Sequence, residues 1–190
     1  LDLYFGGTRV GENDDWPAAL AAGVAEVGAF PFLPGSRDAV LRQTLGGAYT
    51  VQVRGAAAGA VLIEAYDAGR GSAARLVNLS SRHRVGAGGD VLIAGFFVGG
   101  TGEKRLLLRA VGPGLAAFGV TGVLADPRIE VFEAGGGRRA ENDDWEAGLA
   151  PTFAQVAAFP LTAGSRDAAL VVTLSAGNGY TVHVAGAGGG

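Results

Sequence analysis

Glu12-Asn13-Asp14-Asp15-Trp16 returns 129 positions later as Glu141-Asn142-Asp143-Asp144-Trp145, and the rest of the chain is organised around this echo. Aligned at that offset without gaps, residues 9–45 and 138–174 are identical at 22 of 37 positions. The matches include Ala29-Phe30-Pro31 with Ala158-Phe159-Pro160, and Gly35-Ser36-Arg37-Asp38-Ala39 with Gly164-Ser165-Arg166-Asp167-Ala168. Upstream the offset is 128, pairing Leu1-Asp2-Leu3-Tyr4 with Ile129-Glu130-Val131-Phe132. Downstream it is 131, pairing Tyr49-Thr50-Val51 with Tyr180-Thr181-Val182. Both changes fall where glycines cluster, the place where chain length is altered at least cost. Self-similarity on this scale is the signature of a repeat array, which is built for reach or multivalency rather than around one active site.

The copies are cut out of frame. Residues 61–67 have no counterpart after Gly190, and residues 75–127 have none before Leu1. The chain thus holds two copies of one segment, here called B (1–54 and 129–185), and one of another, called A (75–127). The expected division is 1–69, the C-terminal part of one unit, and 70–190, a unit lacking its last strand. With no Met and no apolar leader, Leu1 is expected to be neither a translation start nor part of an intact signal peptide.

Period-two alternation dominates. Tyr49, Val51 and Val53 alternate with Thr50, Gln52 and Arg54, as Tyr180, Val182 and Val184 do with Thr181, His183 and Ala185, the pattern of half-buried strands. Further strands are expected at 1–5, 38–45, 60–66, 75–79, 90–98, 104–111, 128–133 and 167–174, separated by turns such as Gly99-Gly100-Thr101-Gly102 and Gly135-Gly136-Gly137. Helical turns are expected only at Trp16–Ala22 and Gly114–Phe118. With 34 Gly, 48% hydrophobic and 17% charged residues among 190, the expected fold is all-β: an antiparallel β-sandwich or jelly-roll-like tandem repeat with Gly-rich turns.

Composition also narrows function. A net charge of -3 carries no footprint for nucleic acid, and no apolar run reaches the roughly 18 residues of a spanning helix. Zero Cys removes disulfides, thiolate catalysis and cysteine-based zinc. His83 and His183, the only histidines, occupy non-equivalent positions outside any catalytic motif. Gly112-Pro113-Gly114 and Gly99-Gly100-Thr101-Gly102-Glu103-Lys104 lack the Gly-Lys-Ser/Thr ending of a phosphate loop and read as turns. No catalytic residue and no cofactor are expected.

Asn13, Asp14 and Asp15, repeated as Asn142, Asp143 and Asp144, offer hard oxygens that Ca²⁺ could use, but no D-x-D-x-D-G loop or distal bidentate Glu accompanies them. Asx side chains bonding the backbone of a turn, with Trp16 and Trp145 entering a core, are the expected alternative. An ion pair from Asp15 to Arg37, repeated as Asp144 to Arg166, would explain why the two motifs recur together. Trp16, Trp145, Tyr66 and Tyr180 form a sugar-stacking platform only if they are exposed.

Two resemblances can be named from these motifs. The Asn-Asp-Asp turn followed by the Gly-Tyr-Thr-Val-His-Val strand (179–184) resembles bacterial pre-peptidase C-terminal domains, small secreted β-sandwiches. More of the chain is similar to a tandem repeat of long exported proteins of Verrucomicrobia-type bacteria. The segments concerned are Arg75-Leu-Val-Asn-Leu-Ser-Ser-Arg82, Asp90-Val-Leu-Ile-Ala-Gly-Phe96, Leu108-Arg-Ala-Val-Gly-Pro113, Phe118-Gly-Val120, Leu124-Ala-Asp-Pro127 and Asn-Asp-Asp-Trp. That resemblance implies export and a repetitive extracellular or cell-surface role. The expectation is a non-enzymatic structural module, a filament subunit joined head-to-tail to other copies of itself by strand complementation. Its strands would be Val61, Leu62, Ile63 and Tyr66 against Tyr180, Val182 and Val184. The alternative is a carbohydrate-binding or adhesive module of an exported enzyme.

Overall fold

The computed structural model describes residues 1–57, 59–69, 75–86 and 88–187. Two compact units emerge, Leu1–Ser80 and Ser81–Gly190. The boundary expected at 69/70 abuts residues 70–74, which lie outside the described residues. The fold is all-β, with three antiparallel sheets and a few short helical turns.

In the first unit β1 (Asp2–Phe5) lies between β2 (Thr8–Glu12) and β3 (Tyr49–Gln52). Gly6 and Gly7 close the β1–β2 hairpin with positive φ at both positions, as a tight twisted hairpin turn requires. A 3-10 turn, Ala18–Leu20, runs into α1 (Ala21–Glu26).

The second unit begins its regular structure with β4 (Leu92–Val98) and β5 (Glu103–Ala110), followed by a 3-10 turn, Pro113–Phe118. Then come β6 (Pro127–Glu133), β7 (Arg138–Asn142), a 3-10 turn at Ala147–Leu149, α2 (Ala150–Gln155), β8 (Ala168–Ser175) and β9 (Asn178–Gly186). The order β4-β9-β6-β7 makes a four-stranded sheet, and β5-β8 a two-stranded one. One core draws on both sheets: Ile129 and Val131 from β6, Leu170, Val172 and Leu174 from β8, and Tyr180 and Val182 from β9. A second cluster gathers Trp145, Phe153, Leu161 and Ala169. On β6 the buried Pro127, Ile129 and Val131 alternate with Arg128 and Glu130, so one face is apolar and the other wet.

The two B segments share their local construction. β2-β1-β3 corresponds to β7-β6-β9, and each hairpin slips register once, between Leu3 and Tyr4 and between Val131 and Phe132. The change of offset falls in the hairpin turn, Gly6-Gly7 against Ala134–Gly137. Both helices end alike. Ala29 N–H donates to the Val24 carbonyl and Gly28 N–H to Ala25; Ala158 donates to Phe153 and Ala157 to Ala154. This is the two-bond closure built around a left-handed residue, Gly28 in one copy and Ala157 in the other.

Several expectations are corrected. Residues 38–45 are not a strand although their counterpart β8 is, because the first unit has no strand equivalent to β5 to pair with them among the described residues. Residues 60–66 and 75–79 form no strand either, and Val61, Leu62, Ile63 and Tyr66 are exposed. The edge expected to be open, Tyr180 to Val184, is instead the middle of a sheet: β9 is paired with β4 on one side and β6 on the other. β2, β7 and α2 were not legible. The first two are mostly charged or glycine-containing, and α2 carries Pro151 in its first turn, where proline is tolerated because that amide has no helical partner.

Candidate functional site

The residues repeated most strictly form one hydrogen-bonded knot in each unit. In the second, the Asn142 side-chain amide donates to the Asp144 carbonyl at 2.8 Å, and its Oδ1 accepts the Ala169 N–H at 2.8 Å. Trp145 N–H donates to the Asp167 carbonyl at 2.9 Å. The indole N–H reaches Thr162 O (3.3 Å) and Ser165 Oγ (3.2 Å), and the Ser165 hydroxyl donates to Asp167 Oδ2 at 2.6 Å. The first unit repeats this: Asn13 to Asp15 O (2.9 Å), Val40 N–H to Asn13 Oδ1 (2.9 Å), Trp16 N–H to Asp38 O (2.7 Å), the indole to Leu33 O (3.3 Å) and Ser36 to Asp38 (2.6 Å).

The knots differ at the second aspartate. Asp167 is fully buried, and its carboxylate accepts the N–H of Gly112 at 2.8 Å and of Gly114 at 3.0 Å. Gly112-Pro113-Gly114 is therefore a docking loop: its two amides are pinned to the B segment by one carboxylate. A Cβ on Gly112 would collide with the Leu124 carbonyl and lie 3.2 Å from Pro127 Cδ, so glycine is needed there for closeness rather than for φ. Asp38, in the same position of the first knot, is exposed, and its carboxylate is held only by Ser36 among the described residues.

Beside the second knot Arg109 lies over two rings, Phe153 at 4.7 Å and Phe159 at 4.3 Å, and donates to the Phe159 carbonyl at 2.8 Å. Burial lowers its pKa, and the Asp167 charge opposes that shift. Across β6 and β7, Arg128 and Arg138 pair with Glu130 and Glu141, as Arg9 pairs with Asp2 and Glu12 in the first unit.

The sequence-derived candidates fare unevenly. Asn13 and Asn142 spend their side-chain carbonyls on backbone amides, Asp14, Asp15, Asp143 and Asp144 are exposed, and no group of three or more His, Cys, Asp or Glu converges among the described residues. The expected Asp144–Arg166 ion pair is replaced by Arg166 with Asp126, Asp144 acting on Arg166 only through its field. No Asp15–Arg37 pair forms among the described residues, and both side chains are exposed. Trp145 and Tyr180 are core residues and Trp16 is half-buried against Phe32, so the four aromatics do not form an exposed platform. His83 is exposed, and His183 packs on the Phe132 ring. In the first unit a surface recess of about 220 Å³ is lined by Glu26, Val27, Tyr66, Asp67, Ala68 and Gly69; Asp67 is held below the usual carboxylate range by the amides of Leu76 and Gly69. The role of Asp38 and Asp167 escaped sequence reading. The signal was there, in the pairing of a repeated Ser-Arg-Asp with an unrepeated Gly-Pro-Gly.

No family model matches the chain, and comparison with curated proteins and with solved structures finds no match either. Among the described residues no helix is long and apolar enough to cross a membrane.

Proposed function

We propose that this chain is a non-enzymatic structural module of a repetitive extracellular or cell-surface bacterial protein, a unit of a tandem β-repeat array. What carries this reading is the use made of the repeated polar residues. Asn13, Ser36, Asp38 and their counterparts Asn142, Ser165 and Asp167 all bond to backbone or to one another, which holds the chain path. A side chain repeated for catalysis or ligand binding would present unspent donors or acceptors to a concavity. Repetition that maintains geometry is what an array demands, since each unit must offer its neighbour the same surface.

The experiment is immunodetection on the source cells. An antibody to this chain should label the outer surface or the medium, and should detect a polypeptide well above 19.0 kDa. A 19.0 kDa species confined inside the cells would refute the proposal.

A further inference from the structure

In the second unit the A segment completes the B segment through three contacts. β4 pairs with β9 from Leu92 opposite Val184 to Val98 opposite Asn178. β5 pairs with β8 from Glu103 opposite Ser175 to Ala110 opposite Ala168. The Gly112 and Gly114 amides close on Asp167. In the first unit each receiving position is present and unfilled by the described residues. β3 is an edge strand, paired only with β1. Residues 38–45 are already anchored, with the Asp38 carbonyl taken by Trp16 and the Val40 amide by Asn13, yet no strand pairs with them. Asp38 meets no glycine amides among the described residues. Exposure marks the same face: Leu45 is 45% exposed where Leu174 is 1%, and Val51 is 44% where Val182 is 8%.

We propose that this face, residues 38–53, is a docking site for a further copy of the A segment, with the pattern of residues 91–126. Its first strand adds along β3, where main-chain groups stand free and template pairing. Its second strand pairs with residues 39–46 and covers Leu45. Its Gly-Pro-Gly loop donates two amides to Asp38, a charge-assisted contact that sets register. The internal repeat supplies the argument for this occupant, because the second unit shows the same B-type anchors filled by such a segment. One position limits identity: Gln43 stands where the second unit buries Val172.

This deepens the proposed array and rests on it, but the two fail separately: immunodetection tests where the protein is and how long, whereas the following tests the face itself. A synthetic peptide of residues 90–126 is added to the full 190-residue chain, and amide exchange is read residue by residue. The expected result is slowed exchange at residues 39–46 and 49–52, roughly tenfold or more for a stably paired strand, with no such effect from a scrambled peptide. Gln43→Val should tighten binding several-fold, and Asp38→Ala should weaken it at least as much. Protection confined to Leu92–Val98, or equal effects of native and scrambled peptide, overturns the proposal. Insensitivity to both substitutions overturns it as well.

Discussion

Asp167 and Asp38 occupy the same place in the repeated knot, so they make a controlled pair at the scale of a residue. Asp167→Ala leaves the buried Gly112 amide and the part-buried Gly114 amide without their acceptor, a loss of about 2–4 kcal/mol. Asp38→Ala removes an exposed carboxylate that accepts from Ser36, and should cost no more than about 0.5–1 kcal/mol. Denaturant unfolding of the two variants measures the difference, and equal losses would contradict the roles given to the pair. Gly112→Ala is the complementary change, since its methyl must displace the Leu124 carbonyl. A loss of about 1–3 kcal/mol is expected from such overpacking, whereas Gly148→Ala, at an open position, should be close to neutral.

At the scale of elements, the two short helices close around different left-handed residues. Ala157 adopts φ 55°, a conformation that costs an L-residue about 1–2 kcal/mol and that the first copy assigns to Gly28 at φ 71°. Ala157→Gly should relieve that strain and, after the added freedom of the unfolded chain, raise stability by about 0.5–1 kcal/mol; an unchanged or lower melting temperature would argue against it. The β6–β7 hairpin carries the charge network. Glu141 is held below the ordinary value of 4.5 first by its hydrogen bond from Arg128 and then by the field of Arg138. A carboxylate lowered on folding stabilises above its ordinary value, and that contribution is lost as pH falls through the lowered one. Arg128→Ala should therefore move the Glu141 titration, followed by NMR, up towards 4.5 and narrow the pH dependence of stability near that value. The group is fully exposed, so the effect on stability is small.

For the whole molecule, the two units should not be equally protected. The second has a core shared by two sheets, whereas the first has three strands and a face left open at Leu45 and Val51. Opening free energies follow buried apolar contact and paired backbone. Exchange of the Tyr49–Gln52 amides should accordingly be roughly a hundredfold or more faster than that of their counterparts in β9. Comparable rates in the isolated chain would mean that the first unit is already completed.

The B segment, its turns, the strands β6 and β8 and the alternation of β9 were legible in the sequence because each rests on local chemistry. A period of two buries one face, glycine permits the turns, and Asn bonds the backbone next to it. Whether 38–45 becomes a strand was not legible, although 22 of 37 positions around it match the copy that includes β8. A strand needs a neighbour, and pairing is a property of the partner as much as of the residues that receive it. For the same reason the open edge lies at β3 and not at β9, and Asp167 is buried while Asp38 faces solvent: the sequence dictated the anchors, and only the tertiary structure decided which of them are occupied.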